Sequence, residues 1–230
     1  INKTVHCHFY MSEKHRKMTM NCFINAADEL INEVGIENVT IRGIAKKTGY
    51  NSATIYNYFE NLDHLIFFGA FRNIKDYALA LNRYLADAEN AMDRFLKVWE
   101  CFCDYAYLKP EIYNAIFFPR LSKNIEEYIT EYYTLFPEDL GIHHDTVSTM
   151  LLKGNINDRG MTTVIDCINE GFIEPQNADR LNDTTLLIFE GMLMRVMRGA
   201  VGYKDATNKT MDYIKIVVQS LLIKGYDFYY

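Results

Sequence analysis

The residues best suited to chemistry in this sequence lie between Val39 and Phe59, where two short amphipathic segments flank Gly49. In the second segment, small, polar and aromatic side chains recur every three or four residues. They form one outward row of Ser52, Ala53, Tyr56 and Asn57. Polar and aromatic side chains in such a row can reach base edges and phosphates. The chemistry that this pattern predicts is recognition of double-stranded DNA.

Two short helices joined by a glycine turn must position that row. Thr40 is a suitable N-cap for the first helix. Gly49 can adopt positive φ in a tight turn, after which Asn51 or Ser52 can cap a second helix that we predict to run through Phe59. The apolar residues that can lock the two helices together are Ile41, Ile44, Ala45, Ile55 and Phe59. This helix-turn-helix geometry presents the second helix to a major groove.

A longer amphipathic helix should precede this pair, and another should follow it. The first is predicted from about Thr19 to Val34, where Gly35 supplies a left-handed stop. Its apolar positions follow the spacing of a single buried face: Phe23, Ala26, Ala27, Leu30, Ile31 and Val34. Asn61 can cap a fourth helix that should continue to about Leu85.

The rest of the sequence is also predicted to be helical, so the expected fold class is all-α. No repeat, low-complexity tract or strand-like alternation interrupts it, and it contains only four prolines. The predicted helices are Ala91 to Leu108, Glu111 to Phe117, Ile125 to Leu135, Asp145 to Leu152, Asp158 to Asn169, Ala178 to Arg198, and Thr210 to Lys224.

The N-terminal part of the chain resembles the TetR family of bacterial regulators. The matching runs are LINEVGI at 30–36, VTIRGIA at 39–45 and TIYNYF at 54–59, followed by Leu65, within a stretch from about Met20 to Phe68. Many separate positions agree in order and spacing without gaps, which makes the resemblance specific. The alternative, two ordinary short helices in a larger bundle, leaves this agreement unexplained.

The resemblance implies two domains and a set of DNA-contacting positions. A three-helix DNA-binding domain is expected over residues 1–62, with an N-terminal arm at 1–18, and a helical effector-binding and dimerisation domain over 63–230. Positions where family members contact the DNA backbone or bases are occupied by Thr40, Arg42, Thr54, Tyr56 and Tyr58. The variable recognition region is occupied by Asn51, Ser52, Ala53 and Asn57.

Charge gives weaker support to DNA binding. The chain has a net charge of −6, but residues 1–62 carry seven basic and six acidic side chains, which leaves 17 basic and 24 acidic residues for the remainder. Family members often carry lysines where this chain has Ser52 and Leu62, so fewer phosphate contacts are expected. Affinity should then depend more on dimerisation and on Lys14, Arg16, Lys17, Lys46 and Lys47.

Aromatic residues are frequent in the predicted body and suggest an effector pocket by analogy with the family. The candidate lining is Trp99, Phe102, Tyr105 and Phe117. The simpler interpretation of each single residue is core packing. Glu100 and Asp104 on the same helix would favour a cationic lipophilic effector, although a solvated helix face explains them better.

A self-association surface is expected on the last two predicted helices. Gly191 lies inside a strong helix, where it costs up to ~1 kcal/mol relative to alanine unless another helix approaches closely. Together with Leu187, Met194 and the stripe from Ile214 to Leu222, it suggests a four-helix homodimer interface, as the family resemblance also implies. A contact within one chain is the alternative for Gly191.

Other site types find little support. The adjacent pair His143 and His144 and the run His6, Cys7 and His8 lack the spacing of a closed metal site, so neither a metal nor a cofactor is expected. None of the common catalytic motifs occurs, which argues against an enzyme. The odd, dispersed cysteines and the absence of a long uncharged apolar run favour a cytoplasmic protein with reduced thiols.

These observations predict a ligand-responsive, sequence-specific DNA-binding transcriptional regulator. Repression of a palindromic operator, relieved by a small hydrophobic or aromatic effector, is the expected mode, because most family members are repressors. The alternative is a helical ligand-binding or partner-binding protein with a weak or non-functional DNA-binding head, which the missing lysines and acidic total suggest.

Overall fold

A computed structural model describes residues 2–118, 125–143, 145–223 and 226, with the backbone alone for 2–12. Over these residues the chain forms helices and no β-strand, which confirms the all-α prediction; Ile173 and Leu222 form an isolated antiparallel bridge. The helices are α1 (Asn2–Val34), α2 (Ile41–Thr48), α3 (Ser52–Ile55), α4 (Leu62–Phe71), α5 (Ile74–Tyr84), α6 (Ala91–Leu108), α7 (Pro110–Phe117), α8 (Ile125–Leu135), α9 (Pro137–Leu140), α10 (Asp145–Leu152), α11 (Ile156–Asn169), α12 (Ala178–Met197) and α13 (Tyr203–Leu221), with 3₁₀ turns at Ile36–Asn38 and Pro175–Asn177. None of these helices is long and apolar enough to cross a membrane.

The chain divides into two compact units, residues 1–74 and 75–230. In the first unit, α4 packs along α1, and α2 packs against both α1 and α3. The first unit therefore extends past residue 62, where the sequence placed the end of the DNA-binding segment, and includes the whole of α4. Helix α1 begins at Asn2, well before the predicted start near Thr19.

The contact between α1 and α4 leaves no room for a side chain at Gly69. A Cβ atom at this position would lie 2.8 Å from the Ala27 Cβ and 3.0 Å from the Asp28 backbone nitrogen. Both atoms belong to the rigid part of α1, so neither can move aside cheaply. The absence of a Cβ at position 69 is what allows the two helices to approach this closely.

The predicted fourth helix, from Asn61 to about Leu85, is interrupted between α4 and α5. At the interruption, the buried Asn73 amide donates hydrogen bonds to Asp28 Oδ1 on α1 at 2.9 Å and to the Ala70 carbonyl at 3.2 Å. The Asn73 backbone N–H also bonds to the Ala70 carbonyl, in the tighter i to i+3 pattern. An asparagine side chain that competes for backbone groups in this way favours a helix end.

In the second unit, α6 packs against α11 and α13, and α12 packs against α11 and α13. Phe189 on α12 is fully buried and gathers aromatic rings from α6, with centroids 4.9 Å from Phe102, 5.5 Å from Tyr107 and 5.8 Å from Trp99. Most predicted helices in this unit are recovered within one or two residues. The short α9 was not predicted, and α13 begins at Tyr203, earlier than the predicted Thr210.

Replacing Gly69 with alanine should destabilise the first unit, because the new methyl group overlaps α1. We expect Gly69→Ala to lower the free energy of unfolding by about 1–3 kcal/mol, as overpacked core substitutions do. Urea unfolding followed by circular dichroism measures this change. Gly202→Ala is the control, because no atom of the described residues beyond its chain neighbours lies within 4 Å of its Cβ position, and its φ of −71° suits alanine. Equal stability of Gly69→Ala and the wild type would show that the helices are not in close contact there.

Candidate functional site

The helix-turn-helix segment is held in place by local caps at each helix end. Thr40 Oγ1 accepts a hydrogen bond from the Gly43 N–H at 3.1 Å at the start of α2, and Gly49 ends the helix with φ of 74°. At the start of α3, Asn51 Oδ1 accepts from the Ala53 N–H at 2.9 Å. These contacts confirm the predicted caps and decide between the two candidates for α3 in favour of Asn51.

Helix α3 is shorter than predicted. It ends at Ile55 instead of continuing to Phe59, and the chain proceeds through tight turns. In these turns the Asn57 N–H donates to the Thr54 carbonyl, and the Tyr58 N–H donates to the Ile55 carbonyl. The i to i+3 bonds keep the outward residues on a helix-like path, but they make a tighter spiral than an α-helix.

The ring of Phe23 on α1 fixes both ends of this segment. Phe23 is fully buried, and its ring centroid lies 5.0 Å from that of Tyr50, 5.7 Å from Tyr58 and 6.4 Å from Phe59. Aromatic pairs at these separations contribute packing energy and a preferred geometry. One side chain of α1 therefore sets the position of the residues just before and just after α3.

The residues predicted to contact DNA differ in their exposure. Those with exposed side chains are Thr40, Arg42, Asn51, Ala53, Tyr56 and Asn57. Tyr56 is the most prominent, because 55% of its surface is accessible although it is large and aromatic. Ser52, Thr54 and Tyr58 are half-buried, and Tyr58 packs against α1. The structure thus brings Tyr56 and Asn57 together on the outer surface and turns Tyr58 inward.

Two of the basic residues expected to assist DNA binding are engaged within the protein. The Lys47 ammonium lies 2.7 Å from Glu33 and 3.0 Å from Glu29, and these two carboxylates raise the pKa of Lys47. The Arg16 guanidinium lies 5.3 Å from the Tyr58 ring centroid, and its Nη1 donates to the Asn57 carbonyl at 3.4 Å. Lys14 and Lys46 are exposed, and Lys17 is half-buried.

A family model matches the part of the chain that contains this arrangement. Residues 23–67, from the middle of α1 into α4, match the model described as bacterial regulatory proteins, tetR family. This match, over 45 of the 230 residues, is a similarity to the TetR family. The matched residues are those that form the capped α2 and α3 pair and its support, so the resemblance drawn from the sequence is confirmed. TetR-family members are transcriptional regulators rather than enzymes.

Solved structures share the fold over nearly the whole chain. A TetR-family regulator from Syntrophomonas wolfei is 15% identical with a TM-score of 0.61, and the match covers 93% of this chain and 100% of that one. RolR in complex with resorcinol is 15% identical with a TM-score of 0.58, covering 92% and 91%. Thermus thermophilus FadR, a repressor in complex with lauroyl-CoA, is 13% identical with a TM-score of 0.54, covering 90% and 97%. Among curated proteins, none matches the sequence. At these identities the structural likeness establishes the fold alone.

The second unit contains a small cavity between α5, α6, α10 and α11. Its free volume is about 30 Å³, and most of its lining is apolar. Of the four aromatic residues predicted to line a pocket, Trp99 and Phe102 line this cavity. Phe117 packs behind Phe102 with ring centroids 5.2 Å apart, whereas Tyr105 is half-buried outside the lining.

Arg159 is a charged residue of this cavity that was not predicted from the sequence. Its side chain is 5% exposed, its Nε donates to the Lys153 carbonyl at 2.9 Å, and its Nη2 donates to the Leu151 carbonyl at 2.8 Å. Burial lowers the pKa of the Arg159 guanidinium. A lone arginine in a polar stretch is usually solvated. The sequence feature that could have indicated its burial is its spacing: Arg159 lies three residues after Ile156 and four before Thr163, and both of these residues line the same cavity.

The carboxylates considered for a cationic effector lie elsewhere. Asp104 accepts a hydrogen bond from the Tyr84 hydroxyl at 2.6 Å. Glu100 lines a separate, more polar depression of about 420 Å³ beside Lys97 and Lys215. Neither side chain lines the aromatic cavity, so the interpretation that pairs them with its aromatic rings is wrong.

The residues predicted for self-association divide between the interior and the surface. Ile214 and Val218 on α13 are fully buried within the chain, so these two side chains of the stripe cannot contact a second copy. Leu187 on α12 and Ile216 on α13 are 68% and 62% exposed. A Cβ at Gly191 would meet no atom of another element within 4 Å in the described part of the chain, so the intrachain contact considered for this residue is absent there.

The remaining candidates do not form a reactive site in the described part of the chain. Cys101, Cys103 and Cys167 are buried, and burial raises the pKa of each thiol, to about 12 for Cys167. Such thiols react slowly. His143 bonds to Asn82 and to the Leu140 carbonyl, and no cluster of three potential metal ligands occurs among the described residues. His144 and the side chains of His6, Cys7 and His8 lie outside those residues.

Proposed function

We propose that this chain is a cytoplasmic homodimeric repressor of the TetR family that binds a palindromic operator and leaves it when a small apolar or aromatic effector occupies the second unit. The observation that carries the DNA-binding part is the exposed surface of α2 and α3. Its side chains are Arg42, Ala53, Tyr56 and Asn57, and it is held in place by two caps and by the buried Phe23 ring.

Each exposed side chain on this surface has a role suited to its chemistry. Arg42 follows the N-cap of α2, where its charge can meet a phosphate, and the Asn57 amide can donate and accept at a base edge. Tyr56 offers a phenol hydroxyl and an apolar ring for contact with a phosphate or a thymine methyl group. Thr40 and Asn51 act as caps, so their contribution to DNA binding is to orient backbone N–H groups.

The effector part of the proposal is supported by the cavity in the second unit. Trp99, Phe102 and Tyr77 give it an aromatic lining, and an apolar pocket with few polar groups is typical of a small-molecule site. RolR and FadR share this fold and bind resorcinol and lauroyl-CoA. Effector binding would release DNA by changing the ~34 Å separation of recognition helices that fits successive major-groove turns.

The direct test is selection of the purified protein on a random duplex pool, followed by sequencing and competition titration. We expect a palindrome with half-sites about one helical turn apart. A protein that is folded and free of copurified ligand, yet enriches no sequence, would contradict the proposal. That result would favour the alternative of a helical sensor with an inactive DNA-binding head.

Two single substitutions in α2 should show whether Arg42 contacts a DNA phosphate or only adds to the positive charge of the helix. Arg42→Ala should weaken binding to the selected duplex and reduce the slope of log affinity against log salt by about 1, because one phosphate contact is lost. Lys47→Ala is the matched control, since it removes the same charge from the same helix, but from a side chain already paired with Glu29 and Glu33. Fluorescence anisotropy over a range of salt concentrations measures both slopes. Equal slopes for the two variants would contradict the assignment of Arg42.

The proposed dimer surface can be tested through its exposed apolar side chains. Leu187→Glu and Ile216→Glu should each shift the protein toward monomer and weaken operator binding by at least tenfold, because a charge buried at the interface is costly. Sedimentation velocity measures the oligomeric state. Ile165→Glu is the control, because Ile165 is another exposed isoleucine, 48% accessible, on α11. If the two interface variants sediment like this control, self-association must use another surface.

A further inference from the structure

The cavity in the second unit contains a buried arginine with unused hydrogen-bonding capacity. Arg159 donates through Nε and Nη2 to two carbonyl groups near the end of α10. Its Nη1 is buried and has no hydrogen-bond partner among the residues that the structure describes. The guanidinium also packs over the Phe117 ring, with Cζ 4.8 Å from the centroid. One edge of a charged group therefore remains unsatisfied beside the cavity.

No carboxylate neutralises this charge within the described part of the chain. Arg159 takes part in no ion pair there, and the charged or titratable groups that influence it are the phenols of Tyr77, Tyr113 and Tyr133. A guanidinium stays protonated in proteins, and a buried charge without a counter-ion is costly. The site is therefore set up to gain stability from an incoming anion.

A second unused donor lies in the same aromatic cluster. The Tyr113 hydroxyl is buried and has no hydrogen-bond partner in the described part of the chain. Its ring packs on Phe102 and Phe117 with centroids 5.6 and 5.9 Å away. Buried hydroxyl groups normally find a partner. Two unsatisfied donors around the Phe102 and Phe117 rings point to a ligand that carries acceptor oxygens.

We infer that the effector is a small carboxylate whose oxygen accepts from Arg159 Nη1 and whose apolar body lies against Trp99 and Phe102. The inference rests on the proposed effector site and specifies its ligand class. A free volume of about 30 Å³ is too small for such a molecule, so the cavity must widen on binding. Met150 on α10 lines the cavity and can adapt its shape. Because Arg159 also holds the carbonyl groups of Leu151 and Lys153, carboxylate binding is linked to the position of the end of α10.

Trp99 allows a direct test, because it is the single tryptophan of the chain and it lines the cavity. The probes are benzoate, phenylacetate and hexanoate, each compared with its neutral amide of similar shape. We expect at least one acid to change the Trp99 fluorescence saturably. Its amide should bind roughly tenfold or more weakly, since hydrogen bonds to a charged group are stronger than neutral ones. Equal binding of acid and amide, or no response to any acid, would overturn the inference.

Variants of the two donors make the test specific. Arg159→Gln should weaken acid binding to the level of the amide, whereas Arg180→Gln, which removes an exposed arginine from α12, should leave it unchanged. If Arg159→Gln does not fold, Tyr113→Phe removes only the unpaired hydroxyl and should still weaken acid binding. Wild-type acid affinity in Arg159→Gln or in Tyr113→Phe would contradict the assignment of that donor to the carboxylate.

The fluorescence titration needs no DNA, so its result is separable from that of the duplex selection. If an acid changes the Trp99 fluorescence but no duplex is enriched, the carboxylate ligand class is supported and the proposed DNA-binding regulator is contradicted. If an operator is enriched but no acid changes the Trp99 fluorescence, the regulator is supported and the carboxylate ligand class is contradicted.

Discussion

The placement of α3 depends on the packing of one aromatic side chain, Phe23. A helix of four residues cannot hold its own position, because it forms too few backbone hydrogen bonds to offset the entropy of ordering the chain. The Phe23 ring supplies contacts to Tyr50 on one side of α3 and to Tyr58 and Phe59 on the other. Helix α1 is in turn held against α4 by the close approach at Gly69. The exposed surface that we assign to DNA is thus positioned by residues that do not themselves face it.

Much of the first unit could be predicted from the sequence, because the residues that begin and end its helices act on near neighbours. Thr40, Gly49, Asn51 and Asn61 act through neighbours two to four residues away, so composition and spacing identify them. The break at Asn73 was harder to find, because its side chain is held not only by the nearby Ala70 carbonyl but also by Asp28, far away in sequence. The early end of α3 likewise reflects packing on α1 and not a helix-breaking residue.

In the second unit, the sequence predicted the helices better than it predicted which side chains line the cavity or the core. Trp99 and Phe102 were expected at a pocket because they are large and apolar, but the same argument wrongly favoured Tyr105. Arg159 was overlooked since a buried arginine is rare, and its burial requires the α10 carbonyl groups that accept from it. The stripe at Ile214 and Val218 was correctly identified as apolar, yet apolar spacing does not tell an internal core from an interface between copies.

Amide hydrogen exchange of the protein, with and without its selected duplex, tests directly whether the α2 and α3 surface meets DNA. The short α3 and the turns after it should exchange rapidly in the free protein, because few hydrogen bonds protect them. We predict that the duplex slows exchange over residues 40–58 and leaves α11 and the aromatic core of the second unit unchanged. Protection confined to the second unit, or absent from residues 40–58, would show that this surface does not meet DNA.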